Sequence, residues 1–149
     1  MTLEYIDLPG DSIDVDALEI PRALQITTAI VGGRLDFVRL TECRKFAGAS
    51  IEILVIEVEV ERPQVVVNPI RRVERLAVLL SAVDDSYPEV LAVRKGFPIV
   101  PHLNITFDEN TRSLCLYDQS WDEVKARWTA PAFIERIRRW LADTAIGSL

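Results

Sequence analysis

Residues 51–60, IEILVIEVEV, leave the chain few options. β-Branched and apolar residues dominate, and Ile56, Val58 and Val60 alternate with Glu57, Glu59 and Glu61. A period of two puts those apolar side chains on one face of a strand and the glutamates on the other. Earlier in the run Ile51, Ile53 and Val55 hold the opposite parity. That change of phase predicts either a bulge or a first half buried on both faces. Pro63 ends the run, since a proline cannot donate to a ladder. A nearly continuous apolar stretch, VERLAVLLSAV from Val73, predicts a second strand. DDSYP (84–88) reads as a turn and EVLAVRKGFPIV (89–100) as a third strand, with Pro98 and Pro101 forcing irregular chain.

Both flanks read differently. Residues 1–20 are acidic, with Pro9-Gly10 as a turn, and predict an extended lead-in with a short helix. In PRALQITTAIVGGRLDFVRL (21–40) either a helix ends at Gly32-Gly33 or those glycines turn a hairpin; the reading adopted is a helix and then a strand. Near the C-terminus, Thr129 is an N-cap candidate with Pro131 in the first turn. Phe133, Ile134, Ile137, Trp140 and Leu141 mark one helical face, and Gly147 is the stop. The expected fold class is α+β: an antiparallel β-meander with a helix before it and helices after it. At 149 residues the chain is one domain of a size that buries a core, whether complete or cut from a longer protein.

Composition removes several function classes. The net charge of −6 argues against nucleic acid as a partner. Two arginine clusters, NPIRRVERL and IERIRRWL, read as solvated faces interleaved with glutamate, or else as a docking patch for an acidic protein. No apolar run reaches the roughly 18 residues of a membrane span, and the acidic start does not look like a signal peptide, so a cytoplasmic protein is expected. Cys43 and Cys115 make no disulfide framework, and with His102 as the sole histidine they match no metal-ligand spacing. There is no phosphate-binding glycine loop, and no cofactor is implied.

Chemistry concentrates in residues 97–128, which hold His102, Cys115, Trp121 and Trp128. A cysteine thiolate attacks acyl groups readily, and the resulting thioester stays reactive towards amines. Such a site needs a reachable thiol, a fixed backbone and a donor for the oxyanion. Alternation lets Leu114 and Leu116 point inward while Cys115 points out. Asn104 is the candidate amide donor or loop brace, and His102 a candidate base or, again, a brace. Asp118 and Asp122 are candidates to orient an incoming amine, on spacing alone. A structural Cys115 in the core, and a Cys115–His102 hydrolase dyad, are the competing readings. Cys43, in RLTECRKF, reads as a core residue.

The order of Tyr87-Pro88, His102-Leu103-Asn104, Cys115-Leu116 and Trp128-Thr129 with Pro131 resembles the ubiquitin-conjugating enzymes, over about residues 50 to 145. Leu103 stands where that family usually has proline. The phrases FPIVPHLN, LCLYDQSW and WLADTAIGSL are most similar to the prokaryotic conjugating-enzyme domains of antiphage defence loci. The resemblance implies the ubiquitin-conjugating (UBC-like) fold, with an N-terminal helix, a four-stranded meander and C-terminal helices. It implies Cys115 as the catalytic thiol, with Asn104 and His102 beside it. It implies as partner a ubiquitin-activating-like adenylating enzyme. As cargo it implies either a ubiquitin-like protein or, in cyclic-oligonucleotide (CBASS) systems, a cGAS-like nucleotidyltransferase. The same fold without chemistry, as a module that only binds a ubiquitin-like partner, is the second class.

Overall fold

A computed structural model describes residues 4–33, 35–104 and 111–148. Seven strands form one antiparallel sheet in the order β1-β2-β3-β4-β5-β7-β6. They are β1 (Asp11–Ile13), β2 (Val38–Phe46), β3 (Ile51–Glu59), β4 (Val73–Ser81), β5 (Glu89–Ala92), β6 (Leu103–Asn104) and β7 (Arg112–Leu114). Helix α1 (Pro21–Val31) precedes the meander; α2 (Trp121–Val124) and α3 (Ala130–Ile146) follow it. The four consecutive strands β2 to β5 are the expected meander. The third strand is shorter than expected: β5 stops at Ala92, although Val93 still donates to Arg75 O.

The phase change in residues 51–60 has a two-sided explanation. Leu54, Ile56, Val58 and Val60 face α1 and α3 in the main core, where Phe133, Ile134, Ile137 and Leu141 are fully buried. Ile53 and Val55 belong to a second cluster on the other face, with Ala77, Leu91 and Val93. That face is covered by the acidic lead-in, whose Tyr5, Ile6 and Leu8 pack on it. The lead-in is held at one end by a Tyr5–Arg94 bridge and the Ile6 N–H to Val93 O bond, and at the other by β1 pairing with β2. A bulge is present too, but in β2: register shifts between Leu40 and Glu42, and the Thr41 hydroxyl donates to Val55 O at 3.0 Å. An extra residue on the neighbouring strand leaves no mark on the period of β3.

Two buried carboxylates pin the ends of this frame. Glu52, 1% exposed, accepts the N–H groups of Glu19 and Ile20 at 2.8 and 2.9 Å. It thus caps the start of α1 from the sheet, a contact worth about 1 kcal/mol. Glu74 pairs with the buried Arg94, which also donates to Pro69 O. At the C-terminal helix the structure follows the sequence: Thr129 Oγ1 accepts from Ala132 N, and Gly147 closes α3 with φ of 77°. The bland reading of the arginine clusters holds for Arg71, Arg72, Arg75 and Arg138, which pair with Glu4, Glu59, Glu57 and Glu135. Among the described residues, no helix is long and apolar enough to cross a membrane.

Candidate active site

The segment expected to be irregular contains a hairpin. β6 and β7 pair Leu103 with Leu114 and Asn104 with Ser113, and β7 adds to the sheet beside β5. TFDENTR (106–112), which reads in the sequence as a turn between Asn104 and Cys115, lies, apart from its last two residues, outside the described residues. Cys115 is the first residue past β7, and its N–H donates to His102 O at 3.0 Å, adding one more rung. Leu114 is buried, Leu116 packs against the core, and Cys115 between them is half-buried. Alternation therefore turns the thiol away from the core while both neighbours fix its backbone. Sγ lies 3.9 Å from Tyr117 O, a weak contact for a thiol donor.

The thiol lines a groove of about 360 Å³, together with Asn104, Leu79, Tyr87, Glu89 and Tyr117. Asn104 is thus brought beside Cys115. Its Nδ2 donates to Ser113 Oγ at 3.0 Å and to Leu114 O at 3.2 Å, so both amide hydrogens brace the strand that carries the cysteine. His102 is exposed, has φ of 61°, and is not among the groove-lining residues. A left-handed conformation is uncommon outside glycine, and here it delivers the His102 carbonyl to Cys115. Asp118 and Asp122 are exposed and lie outside the lining as well; Asp122 sits in the first turn of α2. Among the described residues, the carboxylate that lines the groove is Glu89, the first residue of β5. No local pattern marked it, because its closeness to Cys115 comes from the β5–β7 pairing.

An aromatic wall borders the groove. The Tyr87 and Tyr117 rings stack at 4.5 Å with an 11° tilt, and Trp121 meets Tyr87 at 5.0 Å and 60°. The Tyr87 hydroxyl donates to Gln119 O. Burial pushes both phenols above their ordinary range; Glu123 adds to this at Tyr87, and Arg136 opposes it at Tyr117. Both are neutral hydroxyls near pH 7, suited to donating and packing rather than to acting as bases.

Behind the wall, the Arg22 guanidinium lies 4.8 Å from the centres of both Trp121 and Trp128. It donates to both oxygens of Asp84 at 2.9 Å, and Lys125 Nζ donates to Asp84 O at 2.8 Å. The bidentate hydrogen bond from Arg22 holds the Asp84 carboxyl below the usual range, with the Arg22 and Lys125 charges adding to it. This clamp joins the first turn of α1 to the loop after β4 and to α2, and so steadies the Tyr117–Trp121 stretch.

Cys43 is a contrasting case. It lies in β2, 4% exposed, and burial first, then the charges of Glu42 and Glu52, push its thiol up. Among the described residues no three potential metal ligands cluster.

A family model described as prokaryotic E2 family A matches residues 38–149, from the first residue of β2 to the last of the chain. No curated protein and no solved structure matches.

Proposed function

We propose a function for this chain from the premise that it belongs to prokaryotic E2 family A: it carries the C-terminus of another protein as a thioester on Cys115 and passes it to a lysine amine. The observation that carries this reading is a thiol facing an open groove from a backbone pinned on both sides. A ubiquitin-activating-like adenylating enzyme supplies the cargo as its own thioester. The Cys115 thiolate attacks that carbonyl, a new S–C bond forms, and the donor's thiolate leaves. A lysine amine then attacks the Cys115 thioester, the amide forms, Cys115 departs as thiolate, and the amine proton passes to a base or to water.

Within this scheme Asn104 holds the cysteine strand, and reaches the oxyanion by releasing one of its two bonds. His102 acts through its carbonyl as a brace rather than as a base. The amine-orienting carboxylate is proposed to be Glu89, which shares the groove, in preference to Asp118 and Asp122, which do not. The cargo is proposed to be a ubiquitin-like protein or a cGAS-like nucleotidyltransferase, in a cytoplasmic antiphage system. This rests on the likeness of FPIVPHLN and LCLYDQSW to the conjugating domains of such loci. One observation favours the second reading, a module that binds without chemistry: both Asn104 donors are already engaged.

Intact mass of the chain, purified from cells expressing its genomic neighbours, separates the two. The carrier gives a protein-sized adduct that dithiothreitol removes and Cys115→Ala lacks, and Cys115→Ser holds the same cargo as a reductant-resistant ester. No adduct in the presence of ATP and active neighbours sinks the carrier and leaves the binding module.

A further inference from the structure

The cysteine groove and the acidic lead-in occupy the same face of the sheet. On that face Leu91 of β5 stands opposite Ala77 of β4 and Ser113 of β7, and Ser113 stands opposite Asn104 of β6. Alternation along each strand brings the next residues on this face to Leu79, Glu89 and Cys115, which line the groove together. Leu91 and Leu79 both belong to the cluster on which Tyr5, Ile6 and Leu8 pack. Leu79 and Ile51 are shared outright, since they pack in that cluster and also line the groove. Two routes therefore run from the lead-in to the site. One passes through Leu91 to the fully buried Ser113, whose Oγ accepts the Asn104 amide at 3.0 Å. The other passes through Leu79 to the groove beside Glu89 and Cys115.

The lead-in is fastened at separate points rather than by continuous pairing. Ile6 N–H donates to Val93 O and Lys95 N–H to Glu4 O, both at 2.9 Å, and the Arg75 guanidinium lies over the Tyr5 ring at 4.0 Å. Further along, Arg44 donates to Pro9 O and Leu8 O at 3.1 and 3.2 Å. Gly10 then turns the chain down onto β2 with φ of 82°, where a Cβ would meet Lys45 O at 2.5 Å. Covering an apolar face calls only for contact with Ile53, Val55, Ala77 and Val93; contact with Ile51 and Leu79 ties the segment to the groove as well. The lead-in precedes residues 38–149, so family membership assigns it no part in the site. Groups that act in a site hold their geometry only as well as the residues behind them, and a misplacement of about 1 Å can cost roughly a hundredfold in rate.

We propose that the lead-in is a positioning element of the cysteine site: Ile6 and Leu8 hold Leu91 and Leu79 in place, and through them the Asn104 amide and the floor of the groove. Its effect on acyl transfer rests on the thioester reading; its hold on the Asn104 amide does not.

The full chain, labelled with ¹⁵N-asparagine, tests the hold without any thioester. The side-chain amide of Asn104 is the reporter. That of Asn68, which donates to Thr144 O near the end of α3, is the internal control for folding. The double variant Ile6→Ser with Leu8→Ser is expected to speed hydrogen exchange over residues 4–13 and to move the Asn104 amide while Asn68 stays in place. In the same variant, loaded Cys115 should discharge to saturating free lysine at least about tenfold more slowly, with loading changed less. Ile6→Val with Leu8→Ile, which keeps the apolar contact, should match the parent in all of these. If Asn68 moves as well, Leu8→Ala, which leaves Ile6 in its seat, is read by the same two amides and the same discharge. Faster exchange with Asn104 and discharge as in the parent overturns the proposal, and so does a conservative variant that loses as much as the serine variant. A chain whose Asn104 follows the lead-in but which never loads cargo would sink the thioester reading only. One that loads and discharges with Asn104 indifferent to the lead-in would sink the positioning role only.

Discussion

Cys43 lies mid-strand in β2, opposite Ile13 on one side and Leu54 on the other, with its thiol in the main core and raised by burial. Cys115 lies one residue beyond the end of β7, held by one backbone bond, with its thiol in a groove and an aromatic wall alongside. The residue type is the same and the difference is position along a strand. Cys43 has no approach path because its face of the sheet is covered by the main core. A cysteine just past a strand's end keeps the sheet's rigidity on one side and solvent on the other. The accessible thiol in this fold therefore lies where pairing stops.

Four measurements sharpen or break that contrast. The largest effect is expected in alkylation. Iodoacetamide should label Cys115 in the folded protein and reach Cys43 only through unfolding, roughly three orders of magnitude more slowly. Equal labelling, read by peptide mass, would erase the distinction. Next comes Asn104→Ala. If the amide serves the oxyanion as well as the hairpin, loaded Cys115 should form normally and discharge to lysine about a hundredfold more slowly. A parallel loss of loading and discharge would assign Asn104 to bracing alone. Cys43→Ala should cost about 1 kcal/mol in urea unfolding and leave cargo loading intact; lost loading would mean that the core cysteine matters to the site.

The smallest effect concerns the clamp behind the wall. The Asp84 carboxyl is held below its unfolded value, so its contribution is complete above about pH 5 and is lost as pH falls through the lowered folded value. Asp84 is 44% exposed, and solvent screening limits that contribution to a few tenths of a kcal/mol. Urea midpoints from pH 6 to pH 3 should fall slightly less steeply in Arg22→Ala than in the parent. A steeper fall would mean that Arg22 is not what lowers Asp84.

The parts of the fold visible in the sequence were those with local causes. The strands at 51–59 and 73–81 follow from composition and period, and α3 from Thr129, Pro131, Gly147 and a five-residue apolar face. The β6–β7 hairpin had no such signal: two strands of two and three residues exist only because β5 offers an edge. The Thr41 bulge was likewise hidden, because only the pairing of β2 with β3 reveals the extra residue. At the site, Leu114, Cys115 and Leu116 alternate as simple strand geometry requires. Glu89 and the Tyr87–Tyr117 stack depend on register between distant segments, and Asp118 and Asp122 show that nearness in sequence to Cys115 does not place a side chain in its groove.

The acidic lead-in has a consequence for the order of assembly. Tyr5 meets Arg94, and Ile6 meets Val93, so the opening segment has no docking place until β3, β4 and β5 are in register. During synthesis the meander must therefore form with one apolar face bare, and such a face is exposed to misassociation while it waits. Tyr5, Ile6 and Leu8 are made before the strands they cover and take their seats after them.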